Sequence, residues 1–234
     1  MTQRFPRLKR HLAARFSPDD AFGLHLTAGA LVLVAMVAVF GHIAGEALST
    51  TPLTALDARL AAWFHTHKHS AWTAPMLFLT HWHNTIGMLV MTGLAAAWLH
   101  ARQARYWLLA LLLSVPGGML LNVLLKYTFQ RARPSFEEPL VTLATYSFPS
   151  GHTLSATVFY GFLAVYCICG TQRALLRVLI ALAACAMVAL VALSRVYLGA
   201  HYLSDVLAAM AEGCAWLAIC ISGVSTWRRR REHA

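Results

Sequence analysis

The stretch SFPSGHTLSATVFYGFLAVYCIC, Ser147 to Cys169, joins a polar turn to an unbroken apolar run. From Ser150 to Cys169 it has about the 20 residues that a helix needs to cross a bilayer core. A membrane helix is therefore expected here, and the unusual part is its start. Pro149, Ser150, Gly151 and His152 put a turn, exposed backbone and an ionisable ring where lipid-facing residues would be expected.

Outward from this run, five more apolar stretches of similar length appear: Ala21–Ala44, Thr73–Leu99, Tyr106–Leu125, Leu175–Leu193 and Tyr202–Ser225. The chain of 234 residues is 59% hydrophobic and 12% charged, more apolar than a soluble domain can conceal. The expected fold is all-α: a polytopic membrane protein with a six-transmembrane-helix bundle over residues 21–226. A basic segment, 1–20, precedes it and a basic tail, 227–234, follows. Ala21–Ala44 is long enough to span and no small-residue cleavage site follows it, so a retained first helix is expected rather than a signal peptide.

The net charge of +10 would suit a nucleic-acid partner, but its distribution argues against one. With both termini in the cytoplasm, Arg4, Arg7, Lys9, Arg10, Arg15, Arg102, Arg105, Arg173, Arg177 and Arg228 to Arg231 fall inside. Those are 13 of the 19 basic residues, the asymmetry of the positive-inside rule. The short links His100–Arg105 and Gly170–Ala174 then face the cytoplasm, while Gly45–Trp72, Lys126–Pro149 and Ser194–His201 face outward. Cys167, Cys169, Cys185, Cys214 and Cys220 lie in apolar spans without a CxxC pair and are expected to be buried packing thiols.

In the first outer segment, Thr51 and Pro52 read as N-cap and first helical position. Leu53, Leu56, Leu60, Trp63 and Phe64 follow at helical spacing around Asp57 and Arg59, which predicts a short amphipathic helix in the membrane interface. His65, His67 and His69 read as interfacial side chains, since no acidic or cysteine partner stands near them for a metal. His81 and His83, near the outer end of a span, are functional suspects. Pro116, Gly117 and Gly118 predict a kink or a close helix approach.

Three patterns carry the chemistry, all on the outward side. KYTFQRARP places Lys126 and Arg133 seven residues apart, about two helical turns, so both cations are expected on one helix face before Pro134 releases the chain. Pro149–His152 is the second pattern. The third, SRVYLGAHYLSD, places Arg195, His201 and Asp205 in order. Arg131 alone reads as a snorkelling interface residue. Lys126, Arg133 and Arg195 end three separate approaches to one side of the bilayer, and such cations repel unless they share an anion. A phosphate dianion suits forked guanidinium donors. Ser150, Gly151 and His152 add free helix-start N–H groups, close access and a hydroxyl. His201 and Asp205, four residues apart on a starting helix, lie on one face. The carboxylate fixes the ring tautomer and leaves Nε2 to attack, while His152 serves the leaving oxygen.

The order K-x6-RP, PSGH and SR-x5-H-x3-D resembles the type 2 phosphatidic acid phosphatase (PAP2) family, whose fold is shared with vanadium haloperoxidases. Lys126, Arg133, Pro134, Pro149, Ser150, Gly151, His152, Ser194, Arg195, His201 and Asp205 all match in type and spacing. The resemblance implies that His201 is a nucleophile forming a phosphohistidine, Asp205 its orienting partner and His152 the general acid. Lys126, Arg133, Ser150, Gly151 and Arg195 would form the phosphate-binding shell, without metal or other cofactor. It implies a lipid phosphate or diphosphate substrate met in the membrane. Undecaprenyl diphosphate comes first in that expectation, with phosphatidylglycerol phosphate and phosphatidate close behind. The site would face the periplasm or cell exterior. Two competing expectations are a vanadate-dependent haloperoxidase and a non-catalytic protein that binds or moves lipid phosphates.

Overall fold

The computed structural model describes residues 24–137, 140–141 and 144–232; the basic segment 1–20 lies outside them. Eight helices occur among the described residues, and no strand. They are α1 (Leu24–Ala47), α2 (Pro52–Thr66), α3 (Ser70–Trp82), α4 (Thr85–Ala101), α5 (Arg105–Phe129), α6 (Gly151–Cys169), α7 (Ala174–Tyr197) and α8 (Leu203–Glu232). Helices α1, α5, α6, α7 and α8 are long and apolar enough to cross a membrane.

The expected second span, Thr73–Leu99, is divided. Helix α3 ends at Trp82 and α4 begins at Thr85, with Asn84 extended (φ −70°, ψ 174°) as N-cap and its Oδ1 accepting from Gly87 N at 2.8 Å. The turn is so tight that a Cβ on residue 87 would lie 2.3 Å from the Trp82 carbonyl oxygen, so only glycine fits. What remains of the span, α4, is a shorter apolar helix of 17 residues.

Thr51 caps α2 as expected, and Thr54 completes a reciprocal capping box, its Oγ1 accepting from Thr51 N at 3.0 Å. The buried side of α2, however, carries Asp57 and Ala61, while Trp63 remains 53% exposed. Pro116 does not interrupt α5. The expected close approach is present instead: Gly117 and Gly118 lie against the Trp216 indole of α8, and Trp216 Nε1 donates to Ser114 O at 2.9 Å.

Helix α6 is the centre of the bundle. Leu154, Val158, Phe159 and Phe162 are buried against Leu111 and Val115 of α5, Met88 of α4, and Ala209 and Leu217 of α8. The periphery is the reverse: Leu31, Val34, Ile86, Leu94, Leu120 and Leu175 are each at least 63% exposed. In lipid such a belt carries no hydrophobic penalty, and close side-chain packing holds the helices together. Cys167, Cys169 and Cys185 share this exposed surface, Cys214 is partly exposed and Cys220 is buried, all as free thiols. The expectation of five buried thiols therefore fails for the first three. Apolar sequence alone does not separate a lipid-facing stripe from a packed one.

Candidate active site

At one end of the bundle, the end of α5, the start of α6, the end of α7 and the start of α8 meet, and α2 and α3 pack over this end against α7 and α8. Lys126 lies in the last turn of α5, buried, with Nζ donating to Tyr146 O at 2.6 Å. The helix stops at Phe129 because Gln130 adopts a left-handed conformation (φ 47°). Arg133 therefore does not share a helix face with Lys126, as the spacing predicts; it reaches the same place from the loop. Its Nε donates to Thr145 O at 2.6 Å, Nη1 to Ala200 O at 2.7 Å and Nη2 to Tyr146 O at 3.0 Å. Backbone carbonyls of two loops thus aim this guanidinium.

The opening turn of α6 is tied to α8, with Ser150 N donating to Asp205 O at 3.1 Å. Ser150 sits at the N-cap position, but its hydroxyl makes no cap bond; it accepts from Thr153 Oγ1 at 3.1 Å. A hydroxyl accepting there still has its own proton to donate. A Cβ on residue 151 would come 3.1 Å from Asn122 Oδ1 and 3.9 Å from Lys126 Cε, so glycine keeps the space beside the lysine open.

Arg195, in the last turn of α7, is 1% exposed. Its Nη1 bonds the Thr80 hydroxyl, while Nε and Nη2 have no hydrogen-bond partner among the described residues. A buried guanidinium with two unused donors is costly unless something accepts them. An oxyanion with several oxygens is the complement.

His201 is 1% exposed and lies between α7 and α8. Its Nε2 stands 3.2 Å from Arg133 Nη1. A guanidinium only donates, so Nε2 is the bare nitrogen and Nδ1 carries the proton. Nδ1 faces Asp205 Oδ2 at 3.4 Å, a long contact, and the ring also hydrogen-bonds the Ser147 backbone. Burial, and then the Arg195, Arg133 and Lys126 cations, hold the ring well below the usual imidazole range. It is a neutral nitrogen base facing a cationic cage.

A cavity of about 400 Å³ lies in front of these groups, lined by Lys126, Arg133, Gly151, His152 and His201 on its polar side. Met119, Leu120 and Val123 form an apolar wall. No acidic side chain lines it among the described residues. His152 also borders a second space of about 720 Å³ that contains Arg195, Thr80 and His81. A larger cavity, about 870 Å³, lies at the opposite end of the bundle near Tyr106 and Arg228.

The eight expected site residues thus converge on one end of the bundle. Arg131 is misread by the sequence: far from snorkelling, it pairs with Asp57 at 2.8 Å and Asp205 at 2.6 Å. Asn122 and Glu212 are also missed. Asn122 Nδ2 bonds Glu212 Oε2 at 3.0 Å and Pro149 O at 3.4 Å, beneath the turn. The available signal was an acid within an apolar span. Of the two suspect histidines, His83 is buried and bonded to Leu79 O (2.7 Å) and Tyr160 OH (2.9 Å). Burial lowers its pKa. The others do local work: His65 stacks on Phe136, His67 on Trp63, and His69 caps α3. Among the described residues, no group of three or more His, Cys, Asp or Glu is placed to hold a metal ion. Glu137 is exposed in the loop after α5, and Glu138 lies outside the described residues.

Long apolar helices around buried Lys126, Arg195 and His201 define the class as a helical protein with several candidate membrane spans and a cation- and histidine-lined site at one end of its bundle. The chain belongs to the PAP2 superfamily, whose family model matches residues 107–229. It is 36% identical over 106 residues to phosphatidylglycerophosphatase B of Bacillus subtilis (strain 168), covering 45% of this chain and 52% of that protein. The aligned stretch thus spans about half the length of that relative. The fold is similar to the crystal structure of a transmembrane PAP2-type phosphatidylglycerolphosphate phosphatase from Bacillus subtilis. The TM-score is 0.74 at 26% identity, over 81% of this chain and 94% of that one. It also resembles Aquifex aeolicus LpxE, with a TM-score of 0.57 at 19% identity over 71% of this chain and 94% of that one.

Proposed function

We propose that the chain is a metal-independent lipid phosphatase that removes the terminal phosphate of a phosphatidylglycerol phosphate-type lipid through a phosphohistidine on His201. The observation that carries this reading is the convergence of Lys126, Arg133, His152 and bare His201 Nε2 on one acid-free cavity with an apolar wall. In the first step, Nε2 attacks phosphorus, the N–P bond forms and the P–O bond to the lipid breaks. His152 gives its proton to the departing alkoxide. In the second step, water attacks in line and His152 takes its proton. The N–P bond then breaks, releasing inorganic phosphate. Charge spreads over the equatorial oxygens in both steps, so fixed cations and N–H groups do most of the catalysis.

Similarity in sequence and in fold to phosphatidylglycerophosphate phosphatase of Bacillus subtilis supports the glycerophospholipid substrate over the isoprenoid one. The lipid tails would follow Met119, Leu120 and Val123, and Leu120 is 63% exposed on the bundle surface. If α4 is a sixth crossing, the excess of basic residues at both ends of the chain supports cytoplasmic termini and a site on the outer face. The test is phosphate release by purified, detergent-solubilised protein across phosphatidylglycerol phosphate, phosphatidate, diacylglycerol diphosphate, undecaprenyl diphosphate and a lipid A phosphate. The expected result is fastest release from the first and none in folded His201→Ala. Binding without turnover would favour a lipid-phosphate carrier, and vanadate-dependent halogenation without phosphatase activity a haloperoxidase.

A further inference from the structure

A buried ion chain runs behind the site, and none of the phosphate-gripping roles uses it. The side chains of Asp57 on α2 and Asp205 on α8 are 1% and 0% exposed, with Arg131 between them. Arg131 Nη2 meets Asp57 Oδ2 at 2.8 Å, and Nη1 meets Asp205 Oδ1 at 2.6 Å and the Ser204 hydroxyl at 2.7 Å. The guanidinium also lies 4.4 Å from the centre of the Tyr202 ring. Asp57 in turn accepts from Ser204 N at 3.0 Å and from the Ser204 hydroxyl. A carboxylate from another helix thus closes the first turn of α8, where N–H groups lack helical partners.

This arrangement divides the two oxygens of Asp205. Oδ1 is taken by Arg131, while Oδ2 accepts from Tyr202 N at 2.9 Å and faces His201 Nδ1. With one oxygen pinned by a forked cation, the carboxylate cannot rotate away from the imidazole. Two buried carboxylates this close would also repel without the shared guanidinium. Neither Arg131 nor Asp57 lines either of the two cavities at His152.

We infer that Arg131 and Asp57 are positioning residues for the His201–Asp205 pair, and that α2 is part of the active-site scaffold. This rests on the phosphatase reading above. Because the chain acts on the nucleophile and not on the lipid, its loss slows phosphohistidine formation and leaves lipid affinity alone.

The experiment is steady-state and rapid-quench kinetics on phosphatidylglycerol phosphate in mixed micelles. Arg131→Gln should lower kcat and the rate of phosphoenzyme formation together by about 10- to 100-fold, the worth of one charge-assisted bond, with KM unchanged. Arg131→Lys should recover part of the loss, since an ammonium restores the charge but not the fork. Asp57→Asn combined with Arg131→Gln removes one charge of each sign and should be no slower than Arg131→Gln alone, because Asp57 acts through Arg131. Should Arg131→Gln fail to fold, Arg131→Lys and the double variant still decide. Wild-type kcat in either overturns the proposal, as does a raised KM at constant kcat or an additive loss in the double variant. A wild-type protein that releases no phosphate from any lipid would instead defeat the phosphatase reading.

Discussion

Methionine in place of Arg195 should separate catalysis from stability. The guanidinium is 1% exposed, keeps one bond, to the Thr80 hydroxyl, and leaves Nε and Nη2 without partners among the described residues. A bound phosphoryl group would accept both. A hydrogen bond from a charged donor contributes about 1.5–3 kcal/mol. Loss of two from the transition state therefore lowers kcat/KM by about 10²- to 10⁴-fold. Stability should move the other way. An apolar side chain of similar length replaces an unpaired buried charge, which is neutral or stabilising by about 1–4 kcal/mol in comparable sites. Leaving Thr80 without its partner costs about 1 kcal/mol against that gain. Initial rates of phosphate release and thermal unfolding of the same detergent-solubilised protein make the comparison. The expected outcome is a Tm at or above wild type with catalysis largely gone. Near-wild-type kcat/KM, or a large fall in Tm with full activity per folded molecule, would refute the assignment of those donors to the substrate.

Proton binding to His201 is opposed by burial and by three cations, so the ring stays neutral as pH falls. NMR of isotope-labelled histidine should show an Nδ1–H tautomer that does not titrate from about pH 8 to about pH 6; a midpoint near 6.5 would contradict this. Treatment with EDTA should leave phosphate release intact. Loss of activity restored by one specific metal would revive a metal role for the histidines near α3. In a background without native cysteines, Leu48→Cys and Ser135→Cys should react with an impermeant thiol reagent on intact cells. Labelling only after permeabilisation would put the site on the cytoplasmic side.

Capping chemistry and motif spacing were legible in the sequence because both are local. Thr51–Pro52 starts α2 through the cap its side chain predicts, and α6 starts at Gly151, within the PSGH turn, although the Ser150 hydroxyl makes no cap bond. Less local features were hidden. The break at His83–Asn84 lies inside an apolar run, where hydropathy cannot show that Asn84 caps a new helix. Arg133 reaches the site from a loop because Gln130 turns left-handed, which no helical period reveals. Arg131 seemed ordinary only while Asp57, 74 residues away along the chain, was out of sight. Its ion pair comes from tertiary packing, and so does the lipid-facing exposure of Cys167, Cys169 and Cys185.

The most direct measurement is rapid acid-free quenching of the protein with a lipid labelled in its terminal phosphate, followed by mapping of the bound label. The account predicts a transient phosphoramidate on Nε2 of His201, formed no more slowly than turnover and absent in His201→Ala. Label on Nδ1 or on another side chain, or turnover with no covalent phosphoenzyme at any time, would contradict it.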